Sequence, residues 1–327
     1  MSELADAVGI EVRLTPQEMA AELRREAREG LSQTPRSLSA KWHYDDLGST
    51  LFARITRLED YYPTRREREI LEARAGEIAR VSEADTLIEL GSGFSEKTRL
   101  LLDALRQAGT LACFVPIDVS EEALRVAGGR IAAAYPGVVV RAIVADFERG
   151  LHDLPGGERR MIAFLGSTIG NLEPEGRAAL LAEVAAALGP GGSFLVGADL
   201  VKHPQRLQRA YDDPGGVTAA FSKNVLAVMN RELGADFDLA GFRHDARWNP
   251  EREWMELGLV SLRAQTVSVR ELGMTLRFAR GEKLHTEIST KFRREGIERE
   301  LAAAGLELTR WWTDPAGDFS LSLAVRR

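Results

Sequence analysis

TLIELGSGFSEKT, residues 86–98, is the stretch whose reading decides the fold. Its first five residues are β-prone and largely apolar, as in a strand buried on both faces of a parallel sheet. Gly91-Ser92-Gly93 then makes a turn, and a helix over 95–107 is predicted to follow. The same rhythm continues downstream. Apolar strands are expected at 111–118, 138–146, 160–166 and 192–199, with helices at 120–134 and 174–188 between them. Strands alternating with helices in this way specify a doubly wound α/β sheet.

Outside that block the pattern changes. Residues 203–235 read as helical, and 239–289 contain alternating segments such as Trp254-Met255-Glu256-Leu257, which predict antiparallel strands. A helix over 290–304 precedes two strands, LELTRWW and FSLSLAV, joined by Asp314-Pro315-Ala316-Gly317. A hairpin there would complete the sheet, with Trp311 and Trp312 in its core. Towards the N-terminus, Thr15-Pro16-Gln17-Glu18 is a capping box with proline at the first helical position, opening a helix to about Gly30. Thr64-Arg65-Arg66-Glu67 repeats the signal. The expected organisation is a Rossmann-like α/β domain from 66–200 and 292–327, and a second, α+β domain from 1–65 and 201–291.

Composition limits the function classes. The chain has 327 residues, 28% of them charged, and a net charge of −6. That balance lacks the basic footprint of general nucleic-acid binding, so a small-molecule substrate is expected. Cys113 is the single cysteine, so neither an intramolecular disulfide nor a cysteine-rich metal site can form. A cytoplasmic location fits, since a reducing compartment asks for no disulfides. The opening residues carry early acids and do not read as a signal peptide. No apolar run approaches the roughly 20 residues that span a bilayer. The five histidines show no metal-ligand spacing, and no metal is expected.

Ligands of open α/β sheets sit beyond the carboxyl ends of the strands, and four strand ends here carry suggestive residues. At the first, Gly91 lets the backbone turn sharply and approach a ligand. Glu96 stands where a dinucleotide fingerprint has its third glycine, which weakens a nicotinamide reading. S-adenosylmethionine has no pyrophosphate and needs no such approach. Asp118 ends the second strand and can accept from both ribose hydroxyls. Asp146 and Phe147 end the third, where they suit an adenine amino group and ring. Lys97 is placed for the cofactor carboxylate. Each acid alone is as readily a solvated loop carboxylate or a helix cap; Glu89, Asp118 and Asp146 in register at successive strand ends are harder to dismiss. The fourth end, Gly166-Ser167-Thr168-Ile169-Gly170-Asn171, superficially matches a nucleophile elbow. Threonine is unusual at the nucleophile position, so a substrate loop over the cofactor is the better account.

The segments KWHYDDLGSTLFARITRLEDYYPTRRE (41–67), LIELGSGFSEKTRLLLDAL, PIDVSEEAL, ADFE, FLGSTIGNLEP, AYDDPGGVTAAF and HTEISTKF together resemble the L-histidine Nα-methyltransferases of ergothioneine biosynthesis, from about residue 40 to 295. The resemblance implies three successive methyl transfers from S-adenosylmethionine to the α-amino group of L-histidine, giving hercynine, without a metal. It places Tyr61 near the imidazole, with Tyr44 on the substrate side. It gives Asn171 and Tyr211 the grip on the α-carboxylate and amine, and hence the catalytic role. Thr218 lies close by, Gly166 supplies backbone near the amine, and Glu287 and Ser289 hydrogen-bond the imidazole. Leu257 departs from the pattern, since some relatives have methionine there. Without the resemblance, Glu287 reads as an exposed strand residue paired with Lys283 or Lys291.

Chemically the assignment is coherent. A carboxylate can accept from one imidazole N–H while a hydroxyl serves either ring nitrogen. Strand alternation puts 287 and 289 on one face. The main task in methyl transfer to a neutral amine is positioning, and no general base is nominated. Phe52 offers a face to the growing methylammonium. The alternatives are an Nα-methyltransferase of another aromatic amino acid, a dinucleotide-binding oxidoreductase, and a non-catalytic nucleotide-binding module. A monomer is expected.

Overall fold

The computed structural model describes residues 8–93, 97–148 and 151–326; Glu96 and the predicted start of the helix at 95 lie outside them. In chain order the elements are β1 (Val8–Val12), α1 (Pro16–Ser32), β2 (Arg36–Ser37), α2 (Asp46–Ile55), α3 (Pro63–Ser82), β3 (Thr86–Leu90) and α4 (Thr98–Gln107). Next come β4 (Cys113–Asp118), α5 (Glu121–Ala134), β5 (Val139–Val144), β6 (Arg160–Phe164), α6 (Pro174–Leu188) and β7 (Ser193–Asp199). Then α7 (Pro204–Tyr211), α8 (Val217–Leu233), β8 (Phe242–Asn249), β9 (Trp254–Ser261), β10 (Gln265–Val269), β11 (Met274–Phe278) and β12 (Lys283–Thr290) follow. The last are α9 (Arg294–Ala303), β13 (Leu306–Thr313) and β14 (Phe319–Arg326).

The chain divides into two compact units. The first comprises residues 1–14, 63–201 and 292–327; the second comprises 15–62 and 202–291. The first unit is an eight-stranded sheet in the order β1-β5-β4-β3-β6-β7-β14-β13. The strands from β1 to β7 are parallel, and β14 inserts antiparallel between β7 and β13. Apolar clusters cover both faces. One gathers Leu71, Ile78, Leu105 and Phe114; the other gathers Val115, Phe164, Leu181 and Phe194. Trp312 is buried in the first cluster and Trp311 packs on the second.

Two readings need correction here. Residues 8–12, taken as part of the substrate-binding half, form an edge strand of the first unit's sheet, in parallel register Val12↔Val144. Its sequence, VGIEV, is too short and mixed to announce a strand, and its partner is remote in the chain. Thr64 is not an N-cap either: α3 starts at Pro63, and Glu67 is buried and turned away from the helix end.

In the second unit β2, β12, β9 and β8 form one sheet and β10–β11 a separate ribbon. The Thr15–Glu18 capping box forms in full at α1. The helical stretch expected over 203–235 is two helices, α7 and α8, separated where Asp212-Asp213-Pro214 leaves the helical path. Asp213 accepts from the N–H groups of Val217 and Thr218 at 3.1 and 2.7 Å, so it serves the open amino end of α8. Leu23, Leu31, Val225, Met229, Phe242 and Leu259 build this unit's main core.

Candidate functional site

Within the first unit the glycine turn is fastened to its neighbours. Gly91 and Gly93 have φ of +63° and +49°, backbone that favours glycine. The N–H of Gly93 donates to Asp118 Oδ2 at 2.9 Å, and that of Ser120 to Asp118 Oδ1 at 3.0 Å. Asp118 thereby links the ends of β3 and β4. Each of its oxygens keeps lone-pair capacity for ligand hydroxyls. Burial pushes its carboxyl up, with the N–H groups of Ser120 and Gly93 opposing. Asp146 follows β5, is buried, and accepts from Glu148 N–H at 2.9 Å. The Phe147 ring lies 5.1 Å from that of Phe164, and a Cβ at Gly91 would meet its edge at 3.6 Å. Gly91, Asp118, Asp146 and Phe147 therefore gather at the carboxyl ends of adjacent strands.

Lys97 has a partner the sequence did not announce. Its ammonium pairs with Glu67, whose other carboxylate oxygen accepts from Gly166 N–H at 2.7 Å. Glu67 thus ties α3, the amino end of α4 and the loop after β6 together. It matched the capping-box template in the sequence, which masked this role. Gly166 has φ of +80°. Beyond it, Ser167 is left-handed at φ 59°, and its hydroxyl accepts from Asp199 N–H at 2.9 Å. Thr168 donates to Leu165 O at 3.1 Å, and the short 3-10 turn ends at half-buried Asn171.

Within the second unit the strand β12 decides what faces what. His285 pairs with Gly258 but Glu287 pairs with Leu257, so Thr286 is an extra residue, a β-bulge. A bulge re-aims the residues that follow it. Partners share a face across a ladder, and Leu257 and Gly258 point to opposite faces. His285 and Glu287 therefore part company. Glu287 and Ser289 share the face of Leu257 and Met255, while His285 stays with Glu256 and Gly258. Lys283 lies 3.5 Å from Asp245 and is not the partner of Glu287.

On the Glu287 face the hydroxyls of Tyr211 and Ser289 are 2.8 Å apart, both buried. Burial pushes the Glu287 carboxyl up to about 7, with the Lys291 charge opposing. An aromatic cluster adjoins. Tyr61 stands edge-on to Tyr211 at 6.2 Å and to Phe52 at 6.2 Å, while Tyr44 meets Phe52 at 5.6 Å and Phe221 at 5.2 Å. Thr218 is buried near the start of α8, one turn before Phe221. Tyr44, Tyr61, Tyr211, Thr218, Glu287 and Ser289 all belong to this unit; Gly166 and Asn171 belong to the first. Lys291 escaped sequence reasoning as a site residue, although it continues the 287, 289 alternation by one more step. Among the described residues no group of three His, Cys, Asp or Glu could hold a metal ion, and no helix is long and apolar enough to cross a membrane.

A glycine turn fastened to carboxylates at the next strand ends, on a parallel sheet finished by an antiparallel strand between its last two neighbours, defines a Rossmann-like class I methyltransferase. The chain belongs to the histidine-specific, S-adenosylmethionine-dependent methyltransferase family, whose model matches residues 23–326. It is 56% identical over 307 residues to the histidine N-alpha-methyltransferase of Mycolicibacterium smegmatis, covering 94% of this chain and 96% of that protein. The protein of the same name from Mycobacterium tuberculosis is 55% identical over 304 residues, covering 93% and 95%. Ergothioneine biosynthesis protein 1 of Neurospora crassa is 31% identical over 298 residues, covering 85% of this chain and 32% of that longer protein.

Proposed function

We propose that this protein transfers three methyl groups, one at a time, from S-adenosylmethionine to the α-amino nitrogen of L-histidine, giving hercynine for ergothioneine biosynthesis. The observation that carries the acceptor is the bulged strand β12, which turns Glu287 and Ser289 together onto the buried face that holds Tyr211. A carboxylate and a hydroxyl at that spacing suit the two nitrogens of an imidazole. An indole has a single N–H and would leave one of them unmatched, which disfavours a tryptophan-type acceptor.

The strand-end residues of the first unit fit the cofactor. The turn at Gly91 lets a ligand approach, Asp118 takes the ribose hydroxyls, and Asp146 with Phe147 takes the adenine. Lys97 attracts the cofactor carboxylate while paired with Glu67. When bound, S-adenosylmethionine supplies an electrophilic methyl on a cationic sulfur. Asn171 and Tyr211 orient the amine and α-carboxylate of the substrate, with Gly166 backbone near the amine. Tyr61, Glu287 and Ser289 hold the ring, with Tyr44 and Thr218 alongside. Orientation of this kind supplies much of the rate when the leaving group is already good. The second unit, 15–62 with 202–291, is the substrate-binding domain in this account.

The accompanying reading is a cytoplasmic monomer: the lone Cys113 suits a reducing compartment, and size-exclusion chromatography with light scattering tests the oligomeric state. The function is tested by mass spectrometry of purified protein with S-adenosylmethionine and histidine. A product heavier by three methyl groups is expected. If histidine stays unmethylated, the proposal fails.

A further inference from the structure

Lys291 is almost wholly buried, at 1% exposure. Its ammonium donates to Tyr211 Oη at 2.7 Å and to Ser289 Oγ at 2.7 Å, and lies 4.6 Å from the Tyr211 ring centroid. With the 2.8 Å contact between the two hydroxyls this closes a triangle. A buried lysine is costly unless its charge is matched. The chain nevertheless puts one two residues beyond Ser289, on the face already occupied by Glu287.

The chemistry of the triangle is directional. An ammonium is a donor only, so each hydroxyl oxygen must receive from Lys291 and neither hydroxyl proton can point towards it. One hydroxyl proton lies between Tyr211 and Ser289; the other is turned away from the ammonium. The cluster then offers a donor, backed by a positive charge, to whatever lies in front of it. It suits a substrate atom with a lone pair, and it disfavours a cationic ring. Glu287 on the same strand supplies the opposite preference, an acceptor for an N–H.

We propose that Lys291 is a positioning residue of the substrate site, orienting the Tyr211–Ser289 hydroxyl pair so that the site takes the acceptor's ring as a neutral imidazole, one nitrogen donating to Glu287 and the other accepting from Ser289. This rests on the histidine reading above. It adds a residue that touches the binding hydroxyls without itself being placed on the substrate, and it assigns the protonation state of the ring that is bound.

Lys291→Met tests it, because methionine fills similar volume without charge or strong donors. The KM for histidine should rise about tenfold or more, the loss expected for a charge-assisted hydrogen-bond contact. The kcat should change less, and the Kd for S-adenosylmethionine should stay within about twofold by the same measure. Thermal stability should change little, because the variant removes a buried charge and leaves two hydroxyls that still bond one another. Lys291→Gln, which keeps a donor without the charge, should recover part of the loss. A KM unchanged in both variants overturns the inference. So does a KM rise matched by equal losses in cofactor affinity and melting temperature, because that is the signature of a packing role. If the unaltered protein fails to methylate histidine, the functional reading falls and this inference with it; an active protein with an insensitive Lys291 overturns the inference alone.

Discussion

The carboxylate of Glu67 accepts from the backbone N–H of Gly166 at 2.7 Å while its second oxygen pairs with Lys97. A side chain on α3 therefore sets the path of the loop after β6 and anchors the start of α4. Glu67→Ala removes both functions at once. A stability loss of about 2–4 kcal/mol is expected, the range for stranding a buried donor and a largely enclosed charge. Urea unfolding measures it. Glu67→Gln keeps an acceptor for Gly166 and should lose less; equal losses would show that the Gly166 contact contributes nothing.

The two units should respond to substitution separately. Glu287→Ala should raise the KM for histidine by about 10- to 100-fold, the equivalent of one strong hydrogen bond to a charged group. Its cofactor affinity should be nearly unchanged. Asp118→Ala should reverse the pattern, weakening S-adenosylmethionine by a similar factor and sparing histidine. Isothermal titration with each ligand reads both, and parallel losses in either variant would sink the assignment of the two sets of residues.

Glu287 should titrate near neutrality. Its carboxyl sits at about 7 in the fold against an ordinary 4.5. An acid raised in this way holds its proton in the folded state after the unfolded chain has lost its own. Its neutral form therefore favours folding at low pH, and that contribution is lost as pH rises from 4.5 through about 7. Histidine binding runs the other way, because the ionised form accepts from the imidazole N–H. A carboxyl-carbon NMR signal titrating near 7 and missing from Glu287→Gln is the expected result.

His43 gives an acid limit to stability. It is fully buried, stacks on Phe221 at 5.0 Å, and its Nδ1 is 2.9 Å from Ala40 O. Burial is the main cause that lowers its pKa from 6.5 to about 4, with the charge of His244 adding to it. The neutral ring's contribution is complete above 6.5 and is lost as pH falls through about 4. The loss from this group by the lower limit is about 3 kcal/mol. Denaturant melts at a series of pH values should show that slope, and His43→Leu should flatten it by one proton's worth. An unchanged slope would place the acid sensitivity elsewhere.

Much of this was legible in the sequence because the decisive signals are local. Buried parallel strands write themselves as short apolar runs, and the ends of those runs locate Asp118 and Asp146. The Thr15 capping box reads directly because its two hydrogen bonds lie within four residues. What escaped depends on distant partners. VGIEV becomes a strand only through β5. Glu67 has the spacing of a capping residue but is claimed by Gly166 and Lys97. The face of Glu287 follows from a bulge at Thr286, and a bulge is invisible to strict alternation. Tyr61, Tyr211 and Ser289 carried no sequence signal of their own beyond family resemblance, since they come from three separate segments, whereas Gly166 and Asn171 stood at a strand end.

The insertion of β14 between β7 and β13 has a consequence for how the protein is made. On a ribosome, β3 to β7 emerge before residues 202–291, while β14 emerges after them. The emerging sheet must therefore wait, with β7 as a bare apolar edge, for the whole of the second unit to be synthesised. An exposed edge of that kind invites pairing with other chains. A nascent chain stalled between residues 202 and 318 should accordingly be the form that chaperones hold and that aggregates, whatever the stability of the finished enzyme.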